Sequence, residues 1–275
     1  MIDLHTHSTA SDGALSPAAL MHKAVEEGLS AIALTDHDTL DGLPEAKEAA
    51  GGLGLRFVPG VEIEIAFSPG EFHLLGLDFS LPAGSLAEAA GELAESRNQR
   101  NRLMFDKLGE LGLDVDYDEF RAASGGGMIG RPHIAELMVT HRLARNKQDA
   151  FDRYLAKGRP FYVQKACMDL ERALRVIKEA GGLAFVAHPL SLFVSWTRMR
   201  SLMTEWKAMG MDGIEAWHPL ARTVDCERLE AMGRAEGLRI SAGSDFHGPS
   251  RPERRLGRGP GGHIIEDSYL DALAR

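Results

Sequence analysis

The stretch "AIALTDHD", residues 31–38, decides how the rest of the chain is read. Ala31 to Leu34 form a short apolar run of strand character, which stops at Thr35, Asp36, His37 and Asp38. Buried strands that end in chemically capable residues are the pattern of α/β sheets, whose functional groups collect beyond the strands' C-terminal ends. The pattern recurs in "GGLAFVAHP" (181–189), "GMDGIEAWHP" (210–219) and "LRISAGSDFHG" (238–248), each with His, Glu or Asp at its end. "LRFVPGVEIEIAF" (55–67) reads as two extended pieces around Gly60. Between such runs lie helical stretches such as "SPAALMHKAVEEG" (16–28), with Ser16 as N-cap, Pro17 as first helical residue and Gly28 as stop. Strand and helix alternating at this spacing predict a mostly parallel α/β barrel with its site on one face.

The bulk numbers narrow the class. The 275 residues, 44% hydrophobic and 26% charged, suit a folded globular protein with a packed interior. No run of about 18 apolar residues and no basic, apolar secretory start occurs, so no membrane association is expected and the chain is placed in the cytoplasm. Cys167 and Cys226 are the two cysteines; with no Cys-x-x-Cys pair, neither a disulfide framework nor a zinc ribbon is expected. A net charge of −9 opposes sequence-independent binding of duplex DNA. It does not oppose an anionic substrate, because carboxylates that bind divalent metals are locally neutralised.

One segment breaks the alternation. Residues 97–167 are rich in helix formers and basic residues: "ESRNQRNRLMFDKLGELG" (95–112) as an amphipathic helix, a flexible "SGGGMIGRPHIAELMV" (124–139), then "DAFDRYLAKGRPFYVQK" (149–165). We expect a small, mainly helical cap domain at 97–167, inserted into a discontinuous barrel domain of 1–96 and 168–275.

The candidate site follows from the strand ends. His5 and His7 in "LHTHSTASDG" are one residue apart, and on an extended chain alternate side chains share a face, which suits chelation of one ion. Asp245 and His247 repeat that spacing, and Asp12, His37, Glu62, His73 and His188 complete the polar strand-end set. A lone His73 in "EFHLLGLDF" would by itself be a packing residue, as are His22, His141 and His263 in this reading. No G-x-S-x-G elbow is present for a serine nucleophile. Six imidazoles and three carboxylates without thiolates favour Mn²⁺, Zn²⁺ or Fe²⁺, are too many for one ion, and would fill two or three sites with Glu62 bridging. Neighbouring metals lower the pKa of a shared water and clamp the oxygens of a phosphoryl displacement.

These residues carry a resemblance. "DLHTHSTASDG", "ALTDHD", "GVEIE", "FHLLG", "VAHP" and "SDFHG" look like the successive motifs of the PHP (polymerase and histidinol phosphatase) family. The resemblance implies a distorted (β/α)7 barrel and a two- or three-metal phosphoesterase site, Mn²⁺ being the leading ion. It implies as ligands His5, His7, Asp12, His37, Glu62, His73, His188, Asp245 and His247.

The insertion points to a substrate. "GRPHIAELM" (130–138) places Gly130, Arg131 and Pro132 at a helix start, with Pro132 in the first helical position; free N–H groups there and an arginine make a phosphate seat. Gln99, Arg100, Arg102, Arg131 and His133 are the candidate substrate residues. Arg97 is either a partner to them or part of a solvated helix face. With "GRPHIA" and "AFDRYLAKGRPFYV", the insertion is similar to small stand-alone family members that remove the 3′-phosphate of nucleoside 3′,5′-bisphosphates such as pAp, or degrade short 5′-phosphorylated RNA from the 5′ end. The expected activity is therefore 3′-phosphate hydrolysis through a metal-bridging hydroxide, on a small nucleotide or RNA end, with no obligate protein partner. His218 either assists the leaving oxygen or packs, and Trp217 and Phe246 either stack on a base or belong to the core. The rivals are a histidinol phosphate phosphatase or other small phosphomonoesterase, and a non-catalytic metal-binding proofreading or regulatory domain.

Overall fold

In the computed structural model, residues 1–124, 127–164, 166–249 and 251–274 are described. Gly125 and Gly126, in the stretch expected to be flexible, lie outside them, as do Lys165, Ser250 and Arg275. The first half of the barrel runs β1 (Ile2–Asp3), α1 (Pro17–Glu26), β2 (Ala31–Leu34), α2 (Leu43–Leu53), β3 (Arg56–Ile65) and β4 (Phe72–Leu77). The insertion contributes α3 (Ser85–Gly109), α4 (Tyr117–Ala123), α5 (Arg131–Thr140) and α6 (Lys147–Ala150), which continues as one π-helical turn, Phe151–Leu155. The second half is α7 (Leu170–Glu179), β5 (Leu183–Val186), α8 (Trp196–Ala208), β6 (Gly213–Trp217), α9 (Thr223–Ala235) and β7 (Arg239–Ala242).

Seven strands form one sheet in sequential order, β1 to β7. The pairs β1/β2, β2/β3, β5/β6 and β6/β7 are parallel, whereas β4 is antiparallel to both β3 and β5. The two edges meet at a seam: Leu4 N–H donates to Ala242 O at 3.3 Å, Asp245 N–H to His5 O at 2.8 Å, and His7 N–H to Phe246 O at 2.9 Å. That closure removes the unpaired sheet edge and brings the first and last motifs of the chain side by side. Helices cover the outside, so strands such as β2 and β5 are buried on both faces and are apolar without alternation.

Local sequence explains the elements. Ser16 Oγ accepts the Ala19 N–H, Pro17 begins α1, and Gly28 ends it at φ 81°. The two pieces expected around Gly60 are one strand. Residues 56–59 pair with β2 and 60–65 with β4, and at the changeover a Cβ on Gly60 would lie 2.6 Å from Thr35 Cγ2. Gly60 thus marks close approach of the backbones rather than a break. The helix expected from residue 95 begins ten residues earlier, at Ser85, so the expected domain boundary at residue 97 falls inside α3. The first half of α3 packs Leu86, Ala89 and Leu93 into the barrel's apolar cluster; the second half gives Met104, Phe105 and Leu108 to a separate cluster with Ile134, Leu155 and Phe161. One helix therefore serves two cores.

Candidate metal centre and phosphate-binding cavity

Each motif residue reaches the same end of the barrel. His5 and His7 lie just past the short β1, with ring centroids 5.2 Å apart. His37 follows β2 and forms a parallel bridge to Glu62 in β3. His188 and Asp245 hold left-handed backbone, at φ 27° and 52°, directly after β5 and near the end of β7. Non-glycine residues adopt such conformations at a cost, and they concentrate at functional sites. His73 arrives differently from the expectation: it sits at the N-terminal end of β4, and because β4 is antiparallel, that end faces the rim where the other strands terminate.

Glu62 is the hub. Its Oε2 lies 2.8 Å from His37 Nδ1 and 3.4 Å from both His5 Nε2 and His7 Nε2. Its Oε1 lies 2.8 Å from His73 Nδ1 and 3.0 Å from His188 Nε2. Asp245 Oδ1 is 3.1 Å from His7 Nε2, and Asp12 Oδ1 is 3.1 Å from His247 Nε2. Four overlapping groups result: His7, Asp12, His37 and His247; His5, His7 and Asp245; His5, Glu62 and His188; His37, Glu62 and His73, with ligand atoms in each within 4.8 Å of one another. Among the described residues these groups contain all nine of the candidate ligands and nothing else.

The electrostatics suit cations. Burial pushes the Glu62 carboxyl up, but the His37, His73 and His5 imidazoles overcome it and hold the group well below the usual range. Asp12 and Asp245 are likewise held ionised against their burial, Asp12 by His247 and His37, and Asp245 by His5 and His247. Burial, with His247 and His37 nearby, lowers His7 well below its ordinary value and keeps it neutral, the form a ligand needs. His5 Nε2, His7 Nε2, Asp12 Oδ1, Glu62 Oε2 and His247 Nε2 are buried and make no hydrogen bond. Orphaned polar atoms cost free energy unless something satisfies them. Converging nitrogen and oxygen donors in that state fit divalent metal ions.

A further set of residues, not singled out from sequence, orients this one. Glu215 is fully buried in β6; its Oε1 accepts from His5 Nδ1 at 3.0 Å and its Oε2 from His188 N–H at 2.8 Å. Asp36 accepts from Ser8 N–H (2.8 Å), Ser8 Oγ (2.6 Å) and Ser11 Oγ (2.5 Å), fixing the loop between His7 and Asp12. Asp3 does the same before Asp245, accepting from Ser244 N–H at 2.9 Å and Gly257 N–H at 2.8 Å. The signal available was an acid inside an apolar run, as in "GIEAW". Arg254 pairs with Asp245 Oδ2, and Arg251 lies 3.6 Å from Asp12 Oδ2.

The cluster opens into a cavity of about 520 Å³. Arg97, Arg100 and Arg131 line it from the insertion. Arg97 pairs with Asp38, so it joins the insertion to the barrel rather than forming a solvated face. Arg100 is 5% exposed, has no ion pair among the described residues, and leaves its Nε without a partner. Burial, with Arg97 and Arg131 close by, lowers its guanidinium to about 10. Arg131 is the first residue of α5 and Pro132 the second, one position later than expected. His133 turns back to the helix cap, where its Nδ1 accepts the Gly130 N–H at 2.9 Å, and it does not line the cavity. Gln99 and Arg102 point away to exposed partners, Glu95 and Asp118.

His218 is buried and lines the cavity. Leu220 N–H can only donate, so His218 Nδ1 accepts it at 3.3 Å; this places the imidazole proton on Nε2, 3.3 Å from Asp245 Oδ2. Trp217 bonds Glu230 and packs with Phe246 against the barrel cluster; neither lines the cavity. His22, His141 and His263 are exposed. Among the described residues no helix is long and apolar enough to cross a membrane.

Comparison with known proteins places this geometry. The PHP domain profile matches residues 3–156. A 5′-3′ exoribonuclease of Haemophilus influenzae is 36% identical over 248 residues, covering 90% of each chain. A 3′,5′-nucleoside bisphosphate phosphatase of Chromobacterium violaceum is 34% identical over 257 residues, 93% of this chain and 90% of that one. The crystal structure of a Bifidobacterium adolescentis protein assigned as a metal-dependent phosphoesterase superposes with a TM-score of 0.83 at 27% identity, over 98% of this chain and 94% of that one. A seven-stranded barrel with imidazoles and carboxylates gathered at one rim, matched in sequence and in fold over nearly its whole length, belongs to the PHP domain family, and this chain is one of its metal-dependent phosphoesterases.

Proposed function

We propose that the protein hydrolyses the 3′-phosphate ester of nucleoside 3′,5′-bisphosphates such as pAp, and by the same chemistry releases 5′-nucleotides from the 5′ end of short RNA. The observation that carries this reading is Arg100: a buried guanidinium with no carboxylate partner among the described residues, in the same cavity as the ligand cluster and beside the N-terminus of α5. A buried, unpaired cation is costly on its own, and an anionic ligand offsets that cost. A substrate with one phosphate at the cluster and a second at Arg100 and Arg131 uses both ends of the cavity. The names of the two relatives agree with such a substrate.

In this reading His5, His7, Asp12, His37, Glu62, His73, His188, Asp245 and His247 hold two or three divalent ions, with Mn²⁺ first among the candidates. Such ions supply activated water and Lewis-acid charge for an in-line displacement. The chain's own residues do the rest. Glu215 sets the His5 tautomer so that Nε2 faces the cluster, and the His218 Nε2–H steadies Asp245. Arg100, Arg131 and the free N–H groups of α5 hold the phosphate that does not react. The insertion serves as a cap that keeps bulk water from the reacting centre.

The test is Arg100→Met. A charge-assisted hydrogen bond contributes ~1.5–3 kcal/mol, so kcat/KM for pAp should fall roughly 10- to 150-fold. Turnover of adenosine 3′-monophosphate, which lacks the second phosphate, should be unchanged. If the wild-type enzyme hydrolyses both compounds equally well, or the variant keeps its activity on pAp, the reading is wrong.

A further inference from the structure

Phe193 and Leu220 stand apart from everything the site description uses. Both line the cavity, and they are 77% and 58% exposed. They come from the loops after β5 and β6, which carry His188 and His218, not from the insertion that carries Arg100 and Arg131. Of the large hydrophobic side chains that line the cavity, these two are the strongly exposed ones, so an aromatic and an aliphatic residue mark an apolar lip at its mouth.

Phe193 is exposed on a rigid support. Ser191 Oγ donates to Glu71 O at 2.8 Å, and Glu71 N–H donates back to Ser191 O at 2.9 Å. Gly70 packs so closely against this loop that a Cβ would lie 2.2 Å from Ser191 O. Leu192 is fully buried, and His188 Nδ1 lies 3.0 Å from Ser191 Oγ. At the end of this clamped segment Phe193 takes a left-handed backbone, φ 51° and ψ 40°, which turns its ring away from the core. Strain and aromatic exposure together, at the mouth of a catalytic cavity, belong to a surface shaped for a ligand.

We propose that Phe193, flanked by Leu220, is the platform on which the base of the second nucleotide stacks, the one that keeps the scissile phosphate when the 3′-oxygen of the first nucleotide leaves, making it a specificity residue for RNA ends over mononucleotides. The inference rests on the substrate reading above. A nucleoside whose 5′-phosphate lies at Arg100 and whose 3′-phosphate lies at the ligand cluster spans the space between insertion and barrel. Its own base then neighbours the insertion, where Tyr162 lies beneath Arg131. The next nucleotide along the chain continues past the cluster toward the loops that carry His188 and His218, where the exposed large apolar side chains are Phe193 and Leu220. Bases are flat and apolar on both faces, and aromatic side chains bind them without regard to sequence.

The experiment compares the 5′-phosphorylated dinucleotide pApA with pAp. In Phe193→Ala, kcat/KM for pApA should fall about 5- to 150-fold, the span of one base–aromatic stack, while pAp is turned over as in wild type; Phe193→Trp should restore pApA cleavage. Equal losses on both substrates, or none on pApA, overturn the proposal. So does a smaller sedimenting mass for Phe193→Ala, which would make the lip a contact between copies of this chain. If wild type cleaves neither compound, the substrate reading fails by itself, and the platform is read from binding of pApA carrying 2-aminopurine as its second base. Quenching by wild type that is lost in Phe193→Ala supports the stack; no quenching, or quenching kept by the variant, overturns it.

Discussion

Substituting Glu215→Gln tests whether the cluster is held ready by a residue that does not itself belong to it. The change keeps size and shape and alters only hydrogen bonding and charge. At present Oε2 accepts the His188 N–H at 2.8 Å, and Oε1 faces His5 Nδ1 at 3.0 Å. A backbone N–H can only donate, so the glutamine must turn its oxygen to His188 and its NH2 to His5. Nδ1 of His5 must then accept, which moves the ring proton to Nε2, the atom 3.4 Å from Glu62 Oε2 and 3.6 Å from Asp245 Oδ1. A protonated Nε2 cannot ligate. The reverse amide orientation sets two donors against each other in a fully buried site. Loss of such a histidine-orienting carboxylate typically weakens metal affinity 10- to 100-fold, or ~1.4–2.7 kcal/mol. Calorimetric titration of Mn²⁺ into metal-stripped protein should show that loss, and half-maximal phosphate release should need 10- to 100-fold more Mn²⁺. Melting in chelator provides the control, because the variant should remain folded there. Unchanged Mn²⁺ affinity in a folded variant would refute the reasoning.

Gly243→Ala should damage the same centre without altering a ligand: its Cβ would fall 2.3 Å from His5 Cβ and 2.8 Å from Glu215 Oε1, an overpacking of ~1–3 kcal/mol. Melting temperature and Mn²⁺ affinity should drop together, while Gly51→Ala, with nothing within 4 Å of the new methyl, should lower neither. In the insertion, the Arg145 backbone N–H and guanidinium hold Asp149 at about 2, below its ordinary 3.8; the depressed value means its contribution is present above about pH 4 and lost as pH falls through 2. Amide NMR signals of residues 145–155 should show that transition in the wild type, and Asp149→Asn should lack it.

The strand-end chemistry was legible from the first motif onward. His-x-His, "TDHD" and Asp-x-His are residue types that a core does not bury without a task, and the apolar runs before them identify where the chain passes through a sheet. The direction of β4 was not legible, because the side-chain period of a strand is the same whichever way it runs. His73 reaches the rim only because β4 enters the sheet from that side. Nor could spacing show that α3 begins at Ser85 and serves two cores, since each of its apolar faces is set by what packs on it.

Residue identity along the chain was enough to name a barrel of strands ending in imidazoles and carboxylates, and the nine residues that the fold gathers. Tertiary structure alone decided which side chains orient them. Glu215 and Asp36 act through hydrogen bonds to residues 210 and 25 to 28 positions away, contacts made only when the closed barrel brings the strand ends together, and they leave no local trace. It also decided among the arginines: Arg100 turns into the cavity and Arg102, two residues on, turns to solvent, because a helix rotates each residue about 100° from the last. The strained, exposed Phe193 belongs to this second kind of information, since its backbone angle and its place at the mouth exist only once the loop is clamped onto Gly70 and Glu71.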